Sequence, residues 1–183
     1  LMAAVEPSDG LMFPGVVSYY HREGELRRFL GPLPEMLIVA VDEGGIVDTQ
    51  GFNQRSVVYS FRDQQRYREL LLRMEQAVPA GHLAAIGECA TQSAVMHQRV
   101  LPKRNLDLFL ELRRRFGALG VVAAHSGTYL GLLFRGDGAG RRGATAALEE
   151  LGRSGLDAQH FDTHTPKMQP GDWLAGEDLG EPT

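Results

Sequence analysis

Apolar and polar positions fall into blocks with the periods of short strands and amphipathic helices. Met36 to Val41 is a continuous apolar run, the length of one buried strand, closed by the polar loop Asp42-Glu43-Gly44-Gly45. Ahead of it, residues 1–5 and 13–20 read as two strands separated by the turn Glu6-Pro7-Ser8-Asp9-Gly10, with a polar turn at 21–24. From Asp63, taken as an N-cap, Tyr67, Leu70, Leu71, Met74 and Val78 recur at helical period until Pro79 and Gly81. A second helix over 82–99 carries Leu83, Ile86, Ala90 and Ala94 and breaks at Leu101-Pro102; a third runs over 105–116 to Gly117. Strands at 119–124 and 129–135 flank the polar turn His125-Ser126-Gly127-Thr128 and read as a hairpin. Gly136-Asp137-Gly138-Ala139-Gly140 reads as a flexible hairpin-type loop before a fourth helix at 141–153 and a last strand at 156–163. Beyond Pro166 the sequence is a polar tail rich in Pro, Gly and acid, from which Trp173 can dock back on the body.

This order predicts an α+β sandwich: a mainly antiparallel sheet with helices on one face. The central hairpin argues against a parallel α/β sheet. With 183 residues, 43% of them hydrophobic, the chain buries a real core. A net charge of −4 and a pI near 5.9 argue against nucleic acid as the partner. Arg113-Arg114-Arg115 shares its helix with Leu106, Phe109 and Leu112 and reads as a solvated face. No apolar run reaches the length of a membrane span. The one cysteine, Cys89, sits among alanines, reads as a buried small residue, and fits a reducing, cytoplasmic compartment. The chain opens directly on Leu1-Met2-Ala3-Ala4-Val5, as a fragment of a longer protein would, or as a start at Met2 behind a cloning scar.

Candidate chemistry gathers in the turns. His125-Ser126-Gly127-Thr128 places two hydroxyls and several backbone N–H groups where an anion can be held; an ordinary hairpin turn is the alternative. Asp9 is a carboxylate able to accept a hydroxyl proton, or simply the Asx residue of its turn. Asp48, Thr49 and Asn53 follow a buried strand, where binding groups are often placed; a solvated connection is equally open. Thr91 and Ser93 read as a small-residue contact between helices. His125 reads as structural or as a donor to phosphate. His160 and His164 stand four apart in a predicted strand, which is no metal-ligand spacing, so no structural metal is expected.

Several segments, in order, carry a resemblance. Glu6-Pro-Ser-Asp-Gly with Phe13 and Tyr19-Tyr20-His21, Gly44-Gly45-Ile46-Val47-Asp48-Thr49, Gly87 to Ala94, Leu101-Pro102-Lys103 and Gly120 to Thr128 resemble the L-threonine kinases of cobalamin synthesis, within the GHMP small-molecule kinase superfamily. The likeness covers most of residues 1–135. It implies a ferredoxin-like C-terminal domain over residues 1–165, with 1–20 entering from the lobe junction and 166–183 as tail. It implies transfer of the γ-phosphoryl of ATP to the hydroxyl of L-threonine, or to another acceptor such as homoserine or a sugar; a non-catalytic binding module of the same fold is the alternative. By the same resemblance Asp9 is the acid–base residue. Glu6 and Ser8 orient substrate or magnesium, and Ser126, Gly127 and Thr128 form the phosphate or substrate turn; Asp48, Thr49, Asn53 and His125 join the substrate-binding set from their place in the loops. ATP and Mg²⁺ belong to the complete enzyme, with none held tightly by this chain. A Gly/Ser-rich phosphate loop is absent from these 183 residues. The partner implied is therefore a missing N-terminal kinase lobe, and the isolated chain is expected to be inactive and prone to homo-oligomerise through the face that lobe covers.

Overall fold

The computed structural model describes residues 13, 15–20, 23–45, 59–125 and 127–163. Among them are six strands and four helices. The strands are β1 (Val16–Tyr20), β2 (Glu25–Gly31), β3 (Met36–Asp42), β4 (Gly120–Ala123), β5 (Tyr129–Arg135) and β6 (Ala158–Asp162); the helices are α1 (Phe61–Ala77), α2 (Leu83–His97), α3 (Leu106–Phe116) and α4 (Gly138–Arg153). The fold is α+β. β1 and β2 form a separate antiparallel hairpin, and the main sheet has the order β4-β5-β3-β6 with every neighbour antiparallel.

The apolar run at 36–41 becomes a central strand because neighbours pair along both of its edges. Val39 lies opposite Leu132 of β5 and His160 of β6. Alternation then sends Leu37, Val39 and Val41 to one face, together with Leu130, Leu132 and Phe134. Phe109 and Leu112 of α3 and Ala144, Ala147 and Leu151 of α4 close over that face as the main core. Burying these side chains, at about 25 cal/mol per Å² of apolar surface, is the main drive for the helices to pack. A smaller cluster joins Leu30 of the hairpin, Met36, Ala77, Val78 and Ile86.

β4 is an edge strand, and α2 covers its free side. The Thr91 hydroxyl donates to the Gly87 carbonyl (2.8 Å) and accepts the Val121 N–H (2.9 Å), so that buried edge N–H is satisfied. The two backbones touch at Gly87 and Gly120: a Cβ on Gly120 would lie 2.0 Å from the Gly87 carbonyl oxygen. Thr91 thus joins a helix to a strand, where a contact between helices was expected.

Three expectations change. The N-cap of α1 is Ser60, and Asp63 is the N3 partner of a capping box: its N–H donates to Ser60 Oγ (3.1 Å), and its carboxylate accepts from the Ser60 N–H (3.3 Å). Gly136 to Gly140 is no flexible hairpin loop. Asp137 caps α4 by accepting the Gly140 N–H at 2.9 Å, and the helix begins at Gly138, three residues earlier than expected. The strand at 25–31 was not anticipated, because Leu26, Phe29 and Leu30 do not alternate. The hairpin is irregular in register and leans on the Arg27–Glu75 ion pair with α1. The arginine run is a solvated face, as expected: Arg114 and Arg115 are exposed, and Arg113, half-buried, pairs with Glu88 (2.8 Å).

Candidate functional site

The ends of β3, β4, β5 and α2 meet around the 125–128 turn. Asp42, the last residue of β3, pairs in register with Tyr129, which sets Thr128 beside it. Ala124 N–H donates to the Tyr129 carbonyl at 2.9 Å and closes the turn. Leu101-Pro102 stops α2, and the Gln98 side chain accepts the Lys103 N–H (2.9 Å), which brings Lys103 underneath the turn. Lys103 is only 6% exposed.

Donors from separate parts of the chain hold the turn's carbonyls. Lys103 Nζ donates to the Gly127 carbonyl. His97 Nε2 donates to the His125 carbonyl at 2.8 Å, and the Glu43 N–H donates to the Thr128 carbonyl at 3.2 Å. A carbonyl oxygen only accepts, so His97 carries its proton on Nε2. Peptide bonds are trans here, and the C=O and N–H of one peptide unit point opposite ways. With the Gly127 carbonyl turned onto Lys103, the N–H of Thr128 is directed away from it, as an anion-binding turn requires.

The charges respond to this packing. Burial pushes the Lys103 ammonium below its ordinary pKa, against the pull of Glu43 and Asp42. The Thr128 hydroxyl, then the Gly44 N–H, hold the Asp42 carboxyl below the usual range; Gly44 lies 2.9 Å from Asp42 Oδ1. Burial lowers His97, which favours the neutral ring. Its ring stacks on that of His125 with 4.5 Å between centroids, and Ser93 Oγ lies 3.1 Å from His125 Nε2. Glu43 caps α3 from outside: its carboxylate accepts the N–H groups of Arg104 (3.1 Å) and Asn105 (2.8 Å), negative charge at the positive helix end.

Of the residues singled out from sequence, the structure brings together His125, Gly127 and Thr128. Asp9, Glu6, Ser8, Asp48, Thr49, Asn53 and Ser126 lie outside the described residues, as do His164 and Trp173. Lys103, Asp42, Glu43, His97 and Ser93 complete the cluster and were not singled out as site residues. The signals available were a charged pair closing a buried strand and a lysine directly after a helix-stopping proline. Among the described residues no group of three or more His, Cys, Asp or Glu is placed to hold a metal, and no helix is long and apolar enough to cross a membrane.

No protein-family model matches the chain. Two curated proteins do. The chain is 26% identical over 137 residues to the L-threonine kinase of Salmonella typhimurium strain LT2, and 24% identical over 137 residues to that of Citrobacter freundii. Each match spans 73% of this chain but only 45% and 46% of the relatives, so the chain matches under half of their length. Among solved structures, homoserine kinase from Cytophaga hutchinsonii superposes with a TM-score of 0.56 at 11% identity, over 74% of this chain and 44% of that one. L. major mevalonate kinase, solved with R-mevalonate, gives 0.55 at 15% identity, over 74% and 45%. This chain resembles the C-terminal half of a GHMP kinase. The GHMP-type architecture accounts for the antiparallel sheet with its covering helices, and the 125–128 turn lies within the segment that carried the resemblance in sequence.

Proposed function

We propose that this chain forms the C-terminal half of an ATP-dependent kinase that phosphorylates the hydroxyl of L-threonine on the way to the cobalamin side chain. The observation that carries this reading is the match to two L-threonine kinases over 73% of the chain. The geometry supports it through a polar turn whose carbonyls are held inward, with the Thr128 N–H directed away from Lys103.

Phosphoryl transfer depends mostly on positioning and on neutralising charge. In this reading the turn of Ser126, Gly127 and Thr128 receives either a phosphate or the threonine carboxylate, and Lys103 fixes its conformation from below. Asp9 accepts the proton of the threonine hydroxyl as that oxygen attacks. Glu6, Ser8, Asp48, Thr49 and Asn53 orient the substrate. When bound, Mg²⁺-ATP supplies the phosphoryl group, and the N-terminal lobe of the complete enzyme holds its phosphates. The whole protein then works in the cytoplasm, and the isolated 183-residue chain does not turn over ATP.

The test is ADP release by the polypeptide of the full coding region that contains this chain, with L-threonine, L-homoserine and L-serine as acceptors, beside Asp9→Asn. The proposal expects turnover with L-threonine that collapses by about 10²-fold or more in the variant. Turnover with another acceptor keeps the kinase and discards threonine. Absence of turnover with every acceptor moves the assignment to a non-catalytic binding module.

A further inference from the structure

At the edge of the main sheet opposite β4, helix α4 and the edge strand β6 flank a groove of about 190 Å³. Leu37, Val39 and Ala144 form its apolar floor, and Thr145 and Leu148 of α4 face His160 of β6 across it. His160 lies on this side of the sheet because it pairs in register with Val39. Arg141 shares a helix face with Thr145 and Leu148, four and seven residues on, and is the one fully charged group among the described residues that line the groove. Its ion pair with Asp162 is loose, at 3.7 Å with both side chains about half exposed. At about 30 Å³ per water the groove holds roughly six waters' worth of space, the scale of one aromatic side chain.

The sequence supplies an occupant beside the groove. Thr163 ties the chain down where it leaves β6: its N–H donates to the Met36 carbonyl at 3.0 Å, and its hydroxyl oxygen accepts the Met36 N–H at 2.9 Å. Residues 164–183 follow, with four acids against one lysine and the only tryptophan of the chain, Trp173, next to Asp172. His160 lies three strand residues back from Thr163, about 10 Å at about 3.3 Å per residue. Trp173 lies ten residues on, and an unstructured chain of that length spans about 17 Å. The tether therefore reaches the groove and presents the indole to it at an effective concentration of order millimolar. An indole also suits the lining: its flat apolar body fits between Leu148 and the His160 ring, and its face attracts the Arg141 guanidinium. Asp172 brings a carboxylate to the same arginine.

We propose that the α4–β6 groove is the docking site of the chain's own tail, with the Trp173 indole seated between Leu148 and His160 and capped by Arg141. The inference goes beyond the kinase reading and stands without it. Because Trp173 is the only tryptophan, its fluorescence reports the docking directly. The test is acrylamide quenching of Trp173 in the 183-residue chain, folded and in urea, with variants at exposed positions of α4 that leave the core untouched. In the folded chain the emission is expected to be blue-shifted and mostly protected from quencher. Thr145→Phe fills the groove and removes the protection. Arg141→Gln lowers the ratio of docked to free tail by about fivefold, the worth of one cation–π contact. Arg153→Gln makes the same charge change about 18 Å further along α4 and leaves that ratio within about twofold. Quenching in the folded chain equal to that in urea would overturn the proposal, as would protection that survives in folded Thr145→Phe. Equal losses in Arg141→Gln and Arg153→Gln would overturn the role of Arg141. Protection that fades on dilution would place the tail on a second copy and overturn docking within one chain.

Discussion

Two short polar segments bracket β5, and they differ in what holds them. At its start, the 125–128 turn is tied by Lys103, His97 and the Glu43 N–H, groups from 24 to about 85 residues away in sequence. At its end, the 136–140 segment is held by Asp137 accepting from Gly140, three residues on, and by close contact with its own strand: a Cβ on Gly140 would lie 2.1 Å from the Arg135 carbonyl oxygen. Both segments contain glycine and polar residues and both follow or precede a buried strand. One is a local helix cap; the other is a constraint that several elements share, which is where a fold positions a binding turn on a rigid scaffold.

The sharpest way to break the first end is through the backbone contact that fixes β4. Gly120→Ala drives a methyl into the Gly87 carbonyl and should cost about 3 kcal/mol, read as a lower urea midpoint. Lys103→Met should cost about 2 kcal/mol, because the Gly127 carbonyl loses its donor in a buried place. Asp137→Ala at the other end should cost only about 1 kcal/mol, the ordinary worth of an N-cap, and leave the 125–128 turn intact.

Acid titration separates the ends further. His97 is lowered by burial, so its contribution is complete above the ordinary histidine value of about 6.5 and is lost as pH falls through the lower folded value. Urea midpoints compared at neutral and mildly acid pH should therefore drop less in His97→Gln than in the unaltered chain. The smallest effect is at Asp42. Its depressed pKa contributes above the ordinary carboxylate range and fades as pH falls through the folded value; Thr128→Val should move that pKa back up, as seen in a carboxyl ¹³C titration.

The same contrast explains what was legible in the sequence. Met36 to Val41, the hairpin strands of β4 and β5, and the helix over 105–116 announce themselves because burial on one face imposes a local period. Gly117 ends α3 with φ +69°, a backbone conformation that glycine adopts readily and that marks the stop. The cap at Asp137 reads as a loop in sequence because a glycine-rich segment looks alike whether it is loose or opens a helix; only the Asp137–Gly140 hydrogen bond separates the two. The hairpin strand at 25–31 lacks alternation and depends on Glu75 from a distant helix. At the site, His125 and Thr128 were visible as turn chemistry. Lys103, Asp42 and His97 were not, because their roles exist only once the sheet register sets Asp42 opposite Tyr129 and folds the end of α2 underneath.

The most direct test of the account is L-threonine-dependent ADP release by the full coding-region polypeptide carrying Thr128→Val or Asp137→Ala, one variant at each end of β5. The account predicts that Thr128→Val lowers kcat/KM by about 10²-fold, the scale of losing a positioned transition-state contact, while Asp137→Ala stays within about twofold. Equal losses in the two variants, or full activity in Thr128→Val, would contradict it.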